Sequence, residues 1–123
     1  MSAGDLELAR EFLEVLAEAA KTGDREAVYA LLTPDVEWLT PKRDVHGIDA
    51  ARDEFTWIVP PDHLDVEFDE PDLDDLGGGR IVTEVHETYR VKGSGDYAYA
   101  RERRIDLTIR DGKVARYEMR VVG

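Results

Sequence analysis

Along residues 5–21, apolar positions recur every three or four residues through Leu6, Leu8, Phe12, Leu13, Val15, Leu16 and Ala20. That spacing predicts one long amphipathic helix, with Asp5 at its N-cap and Gly23 just past its end. A second helix is capped by Asp24, carries Val28, Leu31 and Leu32 on one face, and stops at about Thr33 because Pro34 follows. The period then changes. Val36, Trp38 and Thr40 alternate with Glu37 and Leu39, which is the pattern of a strand, and a turn closes at Gly47. A third helix starts at Gly47 or Asp49, sets Ile48, Ala51, Arg52 and Phe55 on one face, and ends before Pro60-Pro61.

Strands dominate the rest. Residues 64–68 alternate apolar with charged, and 71–79 read as an acidic, Gly-rich turn before a long strand over 81–91. A hairpin turn at 92–96 leads into a strand over 97–109, and Asp111-Gly112 is a strong hairpin signal before a last strand over 113–122. Three helices followed by a meander of antiparallel strands predict an α+β fold, in a single domain over residues 1–123.

Strand phase adds candidate chemistry. Over 97–109 the odd positions read Tyr97, Tyr99, Arg101, Arg103, Ile105, Leu107 and Ile109, so the odd face points inward and carries two arginines. In the last strand Ala115, Tyr117, Met119 and Val121 form the inner row. Over 81–91 the odd row is apolar or hydroxylic except at Glu87. One acid and two arginines on inward faces are expensive unless they pair or meet water.

Composition narrows the function classes. There are 28 acidic against 16 basic residues, a net charge of −12, so nucleic acid and anionic membrane surfaces are disfavoured as partners. With no cysteine there is no disulfide framework, thiolate metal site or Cys nucleophile. The first residues are charged throughout and no apolar run reaches a membrane-spanning length, so a soluble cytoplasmic protein is expected. His46, His63 and His86 lack metal-ligand spacing, and the acidic run 65–75 lacks the residue order of a calcium loop, so no metal site is expected.

Three stretches carry a resemblance: GDREAVYALLTPDVEW (23–38), HGIDA (46–50) and RDGKVARY (110–117). They resemble the nuclear-transport-factor-two-like superfamily, in its polyketide-cyclase-like (SnoaL-like) branch. The resemblance implies a cystatin-like cone: three helices packed on a strongly curved, mostly antiparallel sheet around a pocket, commonly as a homodimer. It does not settle function, because related folds serve isomerases, cyclases, dehydratases, hydrolases and plain binding domains. The ketosteroid-isomerase pattern is not met. Its base matches Thr40, its oxyanion-hole Asp matches Ile105, and the first helix has no Tyr. In the pattern of the limonene epoxide hydrolases, the Arg matches Val85 and the two carboxylates match Glu87 and Met119. Their pocket Tyr and Asn match Trp38 and Thr40.

Glu87 is therefore the candidate acid or base, with Arg101 and Arg103 as electrostatic partners; alternatively the arginines form a fork for an acidic ligand. His46, near the mouth of the implied pocket, is a second candidate base. Trp38, Thr40, Phe55, Val85, Tyr99, Arg101, Arg103, Tyr117 and Met119 are the expected pocket lining, and Trp57 and Ile58 are expected to border the pocket or an interface. Two functions fit. One is a cofactor-free isomerase, cyclase, dehydratase or hydrolase acting on a small, mostly apolar molecule. The other is a non-catalytic homodimeric binding or interaction module.

Overall fold

The structure, a computed structural model, describes residues 2–23, 25–41, 43–54, 63–69 and 72–122. Asp24, Phe55, Trp57 and Ile58, named above, lie outside the described residues. Helix α1 spans Ser2–Thr22 and buries Ala9, Phe12, Leu13, Ala19 and Ala20, so its apolar stripe faces the sheet. It begins three residues before Asp5, which sits in the first turn rather than at the cap. Gly23 ends it at φ +81°, its N–H donating to Ala19 O at 2.8 Å.

Helix α2 is shorter than its apolar spacing suggests, only Glu26–Ala30, and strand β1 already runs over Leu32–Leu39. Pro34 therefore does not terminate a helix; it lies inside a strand. The parallel ladder from β1 to β7 (Lys113–Val121) is broken between Leu32 and Glu37, so Pro34, which has no N–H, deprives no ladder of a donor. Leu31 and Leu32 serve the junction instead, Val114 N–H donating to Leu31 O at 2.8 Å.

The segment read as a turn before Gly47 contains a short strand, β2 (Asp44–His46), paired antiparallel with Glu37–Leu39 of β1. Helix α3 follows over Ile48–Glu54, burying Ala51, while the Arg52 guanidinium lies 4.2 Å from the centre of the Tyr29 ring. The acidic stretch read as a turn is also partly strand: β4 (Asp72–Gly77) pairs antiparallel with the start of β5 (Arg80–Val91). Its composition hides it, since Leu73 packs on the core between two exposed acids while Leu76 faces solvent.

Strand β3 (Leu64–Phe68) pairs with β5 over residues 87–91, so β3 and β4 share one edge of the same long strand. Strand β6 (Tyr97–Arg110) completes a seven-stranded sheet with the path β2-β1-β7-β6-β5-β3, and β4 alongside β5. Among the described residues, three helices thus pack on one curved, mostly antiparallel sheet. The β6–β7 turn uses Asp111 and Gly112 at φ +54° and +74°, the left-handed pair that a two-residue hairpin requires. Gly79 is needed for a different reason: a Cβ there would meet Ile109 O closer than any real contact allows. No helix among the described residues is long and apolar enough to cross a membrane.

The core sits between α1 and the inner face of β1, β7, β6 and β5. Trp38 stacks on Tyr117 with ring centres 3.8 Å apart, and Phe12 from α1 meets both rings edge-on. That cluster closes one side of the cone. On the other side, α1 stands off the sheet and leaves a cavity.

Candidate functional site

A cavity of about 430 Å³ lies between the C-terminal half of α1 and the inner faces of β5, β6 and β7. Most of its wall is apolar: Leu13, Leu16, Ala17 and Ala20 from α1, with Phe68, Val85, Ile105 and Tyr117 from the sheet. The volume lies within the ~300–1,000 Å³ range usual for small-molecule sites. Glu14, Glu18 and Lys21 of α1 and Asp69 after β3 also line it; all four are exposed and so belong to its mouth. Deeper in stand Glu87 and Arg103, both buried.

Strand pairing explains why these two meet. Glu87 lies directly opposite Arg101 across the β5–β6 ladder, and Arg103 is two residues further along the same inner row. Arg103 Nε lies 2.6 Å from Glu87 Oε1, and Arg101 Nε lies 3.8 Å from the same oxygen. Both arginines therefore gather on one side of the carboxylate. The side chain of Arg103 is 9% exposed and that of Arg101 36%, so the first contact is the desolvated one.

Burial pushes the Glu87 carboxyl above its usual range. Arg103, then Arg101, then a hydrogen bond from Tyr89 oppose that shift without cancelling it. Burial also raises the phenols of Tyr117 and Tyr89, both of which stay protonated. The arrangement is a carboxyl group able to exchange a proton in an apolar chamber, with a fixed positive charge beside it.

Of the residues expected at a site, Val85, Glu87, Arg103 and Tyr117 line this cavity. Trp38 lies behind Tyr117, fully buried by the stacking of the two rings. Thr40 and Met119 are also buried, and they line a second, shallower groove with Leu39, Pro41 and Val121. The Thr40 hydroxyl is held by the β1–β2 turn, donating to Arg43 O at 3.1 Å. Tyr99 is 40% exposed and stacks on Tyr89, and Arg101 reaches Tyr89 and Glu87 from that side. His46 is exposed on β2, 3.7 Å from Glu37, and His86 faces Glu102 at 3.5 Å. Both stand on the outer face, away from the cavity. Among the described residues no group of three or more His, Asp or Glu side chains is placed to hold a metal ion.

Sequence reasoning missed the α1 wall and Tyr89. The helix residues read as a plain core stripe because periodicity tells which face turns inward, not how far the helix stands from the sheet. Tyr89 carried a signal: it sits two residues after Glu87 in one strand, and so on the same face.

Comparison with known proteins agrees with this architecture. The model of the SnoaL-like domain family matches residues 9–117. No protein of curated function matches the sequence. Among solved structures, an NTF2-like protein from Anabaena variabilis is similar with a TM-score of 0.83 at 18% identity, over 100% of this chain and 92% of that one. A protein from Bacillus subtilis, provisionally described as an isomerase, has a TM-score of 0.75 at 17% identity, over 96% of this chain and 88% of that one. A protein from Xanthomonas campestris pv. campestris, provisionally described as a polyketide cyclase, has a TM-score of 0.67 at 19% identity, over 94% and 90% of the two chains.

Proposed function

This chain belongs to the SnoaL-like domain family, and from that premise we propose that its cavity binds a small, mostly apolar molecule and acts on it by cofactor-free acid–base chemistry. The observation that carries this reading is Glu87: a buried carboxyl group, raised in pKa, in the wall of an apolar cavity and paired with buried Arg103. A group of this kind takes a proton from carbon or gives one to oxygen, depending on its charge at the moment of encounter. Arg103 supplies the nearest fixed positive charge for an oxygen that becomes anionic as the proton leaves. Isomerisation, cyclisation, dehydration and hydrolysis all use that step. The fork for an acidic ligand is less well supported, because Glu87 already neutralises Arg103 and three carboxylates stand at the mouth against one lysine.

The substrate need not be identified beforehand to test this. Apolar ketones, enones and phenolic polyketides are screened for one-to-one binding by native mass spectrometry. Bound compounds are then followed in heavy water for deuterium exchange next to their carbonyl groups. Wild-type protein should bind at least one compound and accelerate its exchange, while Glu87→Gln should bind it and leave exchange at the solvent rate. Exchange unaffected by Glu87→Gln would remove the acid–base assignment.

A second reading, the non-catalytic homodimeric module, is favoured by a different observation. Tyr97 and Tyr99 are exposed where β6 runs past the end of β7, and Val121 and Val122 are exposed at that end of β7. Light scattering on the wild type and on Tyr97→Ser distinguishes the two readings: a dimer that dissociates in the variant, with no ligand bound by either, supports the module.

A further inference from the structure

Glu87 has a second set of neighbours along β5 and β6. Tyr89 is 5% exposed and packs with Ala20, Leu64 and Val66 rather than lining the chamber. Its ring is fixed by Tyr99, directly opposite across the β5–β6 ladder and stacked at 4.5 Å with an interplanar angle of 17°. Its hydroxyl accepts a hydrogen bond from Arg101 Nη2 at 3.2 Å.

The direction of that bond decides the next one. A guanidinium only donates, so Arg101 takes up acceptor capacity on the phenol oxygen and leaves the single O–H to be donated elsewhere. Tyr89 is on the same strand face as Glu87, two residues away, and the guanidinium that holds its hydroxyl also lies 3.8 Å from Glu87 Oε1 through Nε, which gathers the phenol and the carboxylate around one cation. A guanidinium offers donors and no acceptor, so the order donor–phenol–carboxylate does not reverse.

We propose that Arg101 and Tyr89 form a positioning relay, in which the guanidinium orients the phenol and the phenol O–H holds the Glu87 carboxyl group in one rotamer beside the cavity. This deepens the acid–base reading of Glu87 and rests on it. Neither relay member is a catalytic residue, because neither lines the cavity. The other groups around Glu87 are Arg103 from β6, Tyr117 from β7, Lys21, Glu14 and Glu18 from α1, and Asp69 after β3. Of the three groups that favour its charged form, Arg103, Arg101 and Tyr89, two belong to the relay.

The experiment is a carbon-13 NMR titration of full-length protein labelled at glutamate, with the Glu87 carboxyl resonance assigned by its loss in Glu87→Gln. Tyr89→Phe keeps the ring and its stack and deletes only the hydroxyl. It should raise the proton affinity of Glu87 roughly tenfold, the scale of one hydrogen bond to a charged group. Arg101→Gln should raise it too, and by less in the Tyr89→Phe background than in wild type, because part of its effect passes through the phenol. A Tyr89→Phe titration that superimposes on wild type overturns the relay, even if the melting temperature falls, since lost packing alone would do that. Should Tyr89→Phe not fold, Arg101→Gln at a half-exposed site carries the test, and an unmoved titration there also overturns it. The titration uses no substrate, so the two ideas fail separately. Shifted titrations without any Glu87-dependent exchange sink the acid–base reading, and unmoved titrations with Glu87-dependent exchange sink the relay.

Discussion

The two faces of one sheet carry the same residue types to different ends. On the inner face, Glu87 pairs with Arg103 where both are buried. On the outer face, one strand position away in phase, Arg80 pairs with Asp106 at 2.7 Å, and Glu118 bridges Arg120 at 2.8 Å and Arg116 at 3.4 Å. Arg116 in turn reaches Glu37 at 3.4 Å. On the outer face the arginines stay hydrated, Arg80 at 55% and Arg120 at 70% side-chain exposure, so each pair keeps one solvated partner even though Asp106 is itself buried. The inner pair has given that hydration up, and each ion depends on the other. Alternation along a strand puts both kinds on the same few residues; solvent decides which kind is chemically interesting.

Removing one inner partner is the largest break in that contrast. Arg103→Met leaves Glu87 buried without its close cation and should cost about 3–5 kcal/mol at neutral pH by denaturant unfolding. The loss should shrink in acid, where the carboxyl takes up a proton instead. A loss no larger than that from the outer-face changes would mean that the two faces do not differ in this way.

The pH dependence sharpens the comparison, because the two acids act with opposite sign. Burial raises the folded pKa of Glu87 above its unfolded value of about 4.3. Its contribution is therefore fullest in acid and is lost as pH rises through the raised folded value. Stability of wild type minus that of Glu87→Gln should fall with rising pH across that window. A difference that rises instead would show the arginines outweighing burial.

Glu118 runs the other way. A hydrogen bond from Arg120 holds its carboxyl below the usual range, so its contribution is present above the unfolded pKa and lost as pH falls through the folded one. The Glu118→Gln difference should have the opposite slope, smaller in size and flattened by molar salt, which screens exposed charges. Smallest of all should be Lys21→Met at the cavity mouth, an exposed residue with its ammonium 6.0 Å from the centre of the Phe68 ring. It should leave the melting temperature near the wild-type value, and a large drop would mean that the mouth is part of the folded core.

Much of the fold was legible because period is local. The α1 stripe, the central part of the inner rows of β5, β6 and β7, and the Asp111-Gly112 turn follow from local spacing, but bulges shift the phase at the ends, setting Val114 rather than Ala115 opposite Ile109 and Tyr97 opposite Arg90. The misreadings fell where a non-local partner overrode a local rule. Pro34 tolerates a strand because the β1–β7 ladder is interrupted there, and the acidic 72–77 segment becomes a strand because β5 offers it an edge.

The site divides in the same way. Strand phase alone put Glu87, Arg101 and Arg103 on inward faces, since alternation is set by the backbone and every second side chain must follow it. Whether they would meet depended on the register of β5 against β6, set by the packing of whole strands, which brought Glu87 to 2.6 Å from Arg103. Tertiary structure alone decided that α1 would stand off the sheet to leave a cavity, and that Trp38 would back Tyr117 instead of facing that space. The sequence by itself determined the faces of the strand centres; where bulges fall, and the distance between the layers, came from volumes packed by residues far apart in the chain, which no local period records.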